Sequence, residues 1–186
     1  MNKYPWVVAL MDSTGTQQFC GGTLVASKYV VTAAHCLVDD NGQVSSPSQL
    51  VVRIGDHDLL TLGETSLEKT VTVTKITVHE NYGGADLNND IAMLELGQEL
   101  DLDVYTPACL AQTSDTTTFD GVTAQAYGWG TTSSGGPVSN KLLEVSLPVV
   151  TTAVCEAAMG PLTAGQLCAG GELNKDSCQV SITTSY

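Results

Sequence analysis

Residues 32 to 36 read Thr-Ala-Ala-His-Cys, and the chemistry they offer is proton transfer by His35. An imidazole has an unperturbed pKa close to neutrality. Held beside a carboxylate, it takes a proton from a hydroxyl and later returns it. The neighbours supply rigidity. Tyr29, Val30 and Val31 favour a strand, Ala33 and Ala34 permit a tight turn, and Cys36 lies 16 residues after Cys20, a loop that a disulfide can close. Closing a loop of that length contributes roughly 3 kcal/mol in the chain-entropy account. On these residues alone, a core histidine beside a structural cysteine is the commoner arrangement.

A base of this kind needs an acid to orient it, and Asp90 is the candidate. It opens Asp90-Ile91-Ala92-Met93-Leu94-Glu95-Leu96, an apolar strand that would hold the carboxylate at the core margin, where a hydrogen bond to imidazole is least screened. The alternative is an ordinary aspartate at a strand start, preceded by a turn at Asn88-Asn89. The histidines at 35, 57 and 79 stand 22 residues apart, which matches no zinc spacing, and His79-Glu80 lacks the second histidine of a His-Glu-x-x-His helix.

The elements that must position these residues read as strands. The chain has 186 residues, 42% hydrophobic and 15% charged, with no apolar run near the ~18 residues of a membrane span. It reads as one globular domain or most of one. Gly and Pro punctuate short runs rich in Val, Thr, Leu and Ile: 5–11, 22–26, 50–54, 70–78, 91–96, 122–127 and 141–149. Alternation within 70–78 holds through Val71 and Val73 and then slips to Ile76 and Val78, as at a β-bulge. No long segment keeps a helical period.

A net charge of -13, from seven basic and twenty acidic residues, opposes nucleic acid and anionic membrane surfaces and leaves cationic partners open. Six cysteines, none in a Cys-x-x-Cys pair, fit an oxidising, extracellular setting better than a zinc site. Residues 1–11 are not expected to act as a signal peptide, because Pro5 interrupts the apolar run and no small-residue cleavage site follows.

Seven segments together resemble the chymotrypsin and trypsin family of serine proteases (peptidase family S1), in the family's order. They are Cys20-Gly21-Gly22-Thr23-Leu24, 32–36, 89–94, Tyr127-Gly128-Trp129-Gly130, Leu147-Pro148-Val149-Val150, Leu167-Cys168-Ala169-Gly170 and Asp176-Ser177-Cys178-Gln179. The order of His before Asp is that of the chymotrypsin triad. The resemblance implies an all-β fold of two six-stranded barrels with the active site between them. Residues 1–108 would form the first barrel, complete, and 109–186 an incomplete second one. It further implies that His35 is the general base and Asp90 its orienting acid, that Cys20 pairs with Cys36 and Cys155 with Cys168, and that Asp176 lies in a pocket accepting a substrate Arg or Lys.

Three departures qualify what the resemblance implies. After Gln179 the family carries Gly-Asp-Ser-Gly-Gly-Pro, whereas this chain reads Val180-Ser181-Ile182-Thr183-Thr184-Ser185-Tyr186, so Ile182 stands at the nucleophile position and Ser181 one residue before it. Val180 replaces a glycine whose N–H helps form the oxyanion hole. Met1-Asn2-Lys3 stands where the tail of the family's activation segment would lie, and Ser181 replaces the aspartate that pairs with the freed amino group. The remaining strands of the second barrel are expected to be missing, leaving Cys109 and Cys178 as free thiols and a sheet edge prone to aggregation.

Asp56, Asp58 and Glu64, with Glu68, resemble the calcium loop of many trypsins; no other cofactor is expected. The sequence therefore predicts a serine endopeptidase family member with a preference for Arg and Lys by resemblance. It would be a secreted monomer acting on proteins or peptides in full-length form, and inactive as this chain stands. The alternative is a non-catalytic homologue serving as a binding or regulatory module.

Overall fold

The computed structural model describes residues 3–84, 88–110, 119–132, 135–163 and 165–171, and the backbone of 183–185. Six strands close on themselves: β1 (Val7–Asp12), β2 (Gln18–Ala26), β3 (Tyr29–Thr32), β4 (Leu50–Ile54), β5 (Lys69–Val78) and β6 (Ala92–Leu96), in the spatial order β1-β2-β3-β6-β5-β4. Closure leaves this sheet without a free edge. Its interior is filled by Val8, Leu10, Leu24, Val30, Val52, Ile54, Leu94 and Leu96, all inaccessible to solvent.

The pattern of each strand follows from what lies on its two faces. β5 has solvent on one side, so Val71 and Val73 are buried while Thr70, Thr72 and Thr74 are exposed. The slip read from the sequence is a bulge. Val73 pairs with Leu96 and Lys75 with Glu95, and the extra residue, Thr74, turns its hydroxyl onto the Glu95 carbonyl at 3.1 Å. By contrast, β1 is apolar on both faces because both are covered. Val8 and Leu10 enter the barrel, while Val7, Ala9 and Met11 pack with Tyr127 and Trp129 of the second half.

That second half is an open sheet of β7 (Thr123–Gly128), β8 (Leu143–Val150), β9 (Cys168–Ala169) and β10 (Thr183–Ser185), ordered β10-β7-β8-β9. β10 pairs with β7 from Thr183 opposite Tyr127 to Ser185 opposite Gln125. The segment that departs from the family pattern thus covers the β7 edge, which the sequence reading left bare. A helix, α1 (Thr152–Met159), follows β8; at eight residues it is too short to show a period. Its start is set by Thr151, whose hydroxyl accepts the Val154 N–H at 3.3 Å, and its end by Gly160 at φ 92°. The Cys155–Cys168 disulfide ties it to β9.

Candidate active site

β3 and β6 are antiparallel neighbours, with Thr32 opposite Ala92. The residues just after β3 and just before β6 therefore emerge at the same end of the barrel. His35 is three positions beyond Thr32 and Asp90 two before Ala92, so pairing register alone brings them together. Beyond β3 the chain tightens into a 3-10 turn, Ala34–Cys36. Ala34 is fully buried under it, and the Cys20–Cys36 disulfide fastens its end to β2. The Thr32 hydroxyl, donated to the Gly21 carbonyl at 2.7 Å, adds a second tie between these strands.

Asp90 grips the turn with both oxygens. Oδ1 accepts the backbone N–H of His35 at 2.8 Å, and Oδ2 lies 2.7 Å from His35 Nδ1. A carboxylate only accepts, so Nδ1 carries the hydrogen and the lone pair of the neutral ring is left on Nε2. The Asp90 side chain is 20% exposed and that of His35 49%, so the acid is shielded while the base remains reachable. Asn89 sets the approach: it adopts φ 54°, a left-handed conformation that asparagine tolerates, and its Nδ2 donates to the Asn81 carbonyl at 2.9 Å. A cavity of about 520 Å³ runs from Thr32, Asp90 and Ile91 to Cys109 and Gln166, with Asp90 in its wall.

The remaining predicted residues are distributed as follows. Both disulfides are present, and among the described cysteines Cys109 is unbonded and exposed. Asp176, Cys178, Ser181 and Ile182 lie outside the described residues. The carboxylates of the acidic loop have partners within the protein. Asp56 turns inward to Arg53 at 3.3 Å, Glu64 Oε1 accepts the N–H groups of His57 and Asp58, and Glu68 accepts that of Gly63. Among the described residues no three of these carboxylates lie within 4.8 Å of one another, while Asp56 Oδ1 is buried without a hydrogen-bond partner. Burial pushes the Asp56 carboxyl above its ordinary value, with Glu68 adding to the rise and Arg53 opposing it.

Arg53 is the residue that sequence reading overlooked. Buried within an apolar strand, it donates to Asp56, to the Leu59 carbonyl and to the Gly15 carbonyl, holding two loops to β4. Its only sequence signal was a charge within Leu50–Ile54. His57 serves the fold through its backbone: its carbonyl accepts Trp129 Nε1 at 3.0 Å and the Leu142 N–H at 2.8 Å. His79 Nδ1 accepts the N–H of Asn81 at 3.1 Å. The three histidines are thus separate in role.

A closed six-stranded barrel, a second open sheet and a His–Asp pair at one end of the barrel make a recognisable set, and residues 1–180 match the family model described as Trypsin. The chain belongs to the trypsin family of serine proteases. Its fold is chymotrypsin-like. Neuropsin, a serine protease expressed in the limbic system of mouse brain, superposes with a TM-score of 0.80 at 28% identity, over 98% of this chain and 78% of that one. Serine protease filzig of Drosophila melanogaster is 35% identical over 190 residues, covering 95% of this chain and 11% of that protein. Inactive CLIP domain-containing serine protease A28 of Anopheles gambiae is 32% identical over 191 residues, covering 95% and 48%. The chain spans about half or less of the length of these two trypsin-family relatives.

Proposed function

We propose that this chain is a trypsin-family domain that assembles the base and acid of peptide-bond hydrolysis but does not complete the reaction. The observation that carries this reading is the grip of Asp90 on His35, 2.7 Å to Nδ1 and 2.8 Å to the backbone N–H. It presents Nε2 as a base, the orientation such chemistry requires. The incompleteness is inferred from the residue order after Gln179. Ile182 at the nucleophile position has no hydroxyl, and Ser181, one place earlier, lacks the glycine turn that would aim its oxygen at Nε2. Without an activated oxygen, an oriented imidazole has no proton to take.

The family implies protein or peptide substrates, and Asp176 would favour an Arg or Lys side chain by charge-assisted hydrogen bonding. A net charge of -13 supports basic partners. Two disulfides support an extracellular setting, and the domain is proposed to act there as a monomer. A second reading, a non-catalytic homologue that binds basic segments of a protein without cutting them, is supported by the Anopheles relative, whose name records it as inactive. The test is hydrolysis of Arg and Lys ester substrates by the purified chain. The expected rate equals that of buffer. A rate above buffer that disappears in His35→Ala would contradict the proposal, and saturable binding of an arginine peptide without cleavage would favour the second reading.

A further inference from the structure

The hairpin that follows the His35 turn carries the one Asn-Gly pair of the chain, Asn41-Gly42. Glycine has no side chain to shield its own nitrogen, so at such a pair the backbone nitrogen can close onto the amide carbon of the asparagine before it. Both residues are exposed, and a Cβ placed on Gly42 would meet nothing within 4 Å, so the space around the pair is open. We propose that Asn41 is a site of spontaneous deamidation, and that the Asp39 carboxylate restrains the reaction by holding the hairpin shut.

The step balances with water as its only co-reactant. The Gly42 nitrogen gives up its hydrogen and forms a bond to Asn41 Cγ, the Cγ–Nδ2 bond breaks, and ammonia leaves. Water then opens the cyclic imide at either of its carbonyls. One opening gives aspartate; the other gives isoaspartate, in which the main chain runs through the former side chain. Either product has an oxygen in place of an NH and adds one negative charge to a chain already at -13.

The hairpin sets the rate because the reacting nitrogen is engaged. Gly42 N–H donates to the Asp39 carbonyl at 2.9 Å and Asp39 N–H to the Gln43 carbonyl at 3.0 Å, next to an antiparallel bridge between Val38 and Val44. Asp39 Oδ1 accepts the N–H of Asn41 at 2.9 Å and that of Gln43 at 2.8 Å, so one carboxylate clips the residues on both sides of Gly42. The N–H groups of Gln43 and Asn41 in turn hold the Asp39 carboxyl below its ordinary value, and the clip stays ionised at neutral pH. Gly42 completes the turn at φ 77°, a left-handed conformation that glycine adopts without strain. Ring closure needs this turn to open. Its consequence falls on the surface: the loop lines a cavity of about 670 Å³ with Val78, His79 and Tyr82, where Asp39 and Asp40 already stand. A further carboxylate, on a main chain lengthened in the isoaspartate form, changes the charge and the shape of that wall.

The test is incubation of the full chain in mildly alkaline buffer, native and in urea, followed by peptide mapping with mass spectrometry. In the native chain the Asn41 peptide is expected to gain the mass of an oxygen for an NH and to split into two chromatographic forms, while the Asn140 peptide lags behind. Urea is expected to speed the conversion of Asn41. In the native state Asp39→Ala is expected to react about tenfold faster than wild type, as a turn does on losing charge-assisted hydrogen bonds. In urea, where the clip is absent, the two should react alike. Gly42→Ala is expected to react more slowly than wild type in urea, because a methyl group crowds the attacking nitrogen. No conversion of Asn41 in the native chain would overturn the site. Equal native rates for wild type and Asp39→Ala would overturn the restraint.

Discussion

His35 and Asp90 show how a proton-transfer pair is set by two contacts to one carboxylate. Because Oδ1 holds the backbone and Oδ2 the ring, the tautomer and the orientation of His35 are fixed together. Asp90→Asn would keep the shape and lose this control, since an amide can offer Nδ1 a donor and let the ring hydrogen move to Nε2. The expected outcome, read from nitrogen-15 and proton correlation spectra, is a hydrogen on Nδ1 in wild type and on Nε2 in the variant. Retention of the Nδ1 tautomer in the variant would show that Asp90 does not set it. Of this pair, the sequence revealed His35 through its turn and its cysteine, and Asp90 through its place at the head of an apolar strand. It did not reveal Arg53, because a buried ion pair depends on which loops fold over a strand, and no local pattern records that.

Among the elements, the turn between β1 and β2 has the most definite electrostatics. Asp12 accepts hydrogen bonds from the Thr14 hydroxyl and from the N–H groups of Gln17 and Thr16, and these hold its carboxyl down to about 2 from 3.8. A depressed carboxyl favours the folded state above its unfolded pKa, and that contribution is lost as pH falls through the folded value. Acid titration of stability is therefore expected to show a loss between pH 3.8 and about 2 that is absent in Asp12→Asn; identical profiles would remove this role. Most strands of the barrel were legible from apolar runs and turn residues, and the bulge in β5 from the slip between Val73 and Ile76. α1 was not legible, because its eight residues are held by a cap and a disulfide rather than by an amphipathic stripe. Nor was β10, whose Thr and Ser residues carry no alternation and gain their strand conformation by pairing with β7.

Across the whole molecule, the barrel and the second sheet are joined through the outer face of β1. Val7, Ala9 and Met11 meet Tyr127 and Trp129 there, and Trp129 is 1% exposed with its indole N–H given to the His57 carbonyl. Trp129→Ala would open a cavity in that seam and leave the His57 carbonyl with the Leu142 N–H as its remaining donor, and is expected to cost about 3–5 kcal/mol in urea unfolding. A loss under about 1 kcal/mol would show that the seam contributes little.

Under the proposed function, His35 is an oriented base without an activated serine, and a serine-directed reagent has nothing to label. Treatment with a serine-directed organophosphate, followed by mass spectrometry of the intact chain and its peptides, measures that directly. No adduct on any serine is predicted, under conditions in which an active serine protease is fully labelled. A stoichiometric adduct at Ser181, abolished by His35→Ala, would contradict the account.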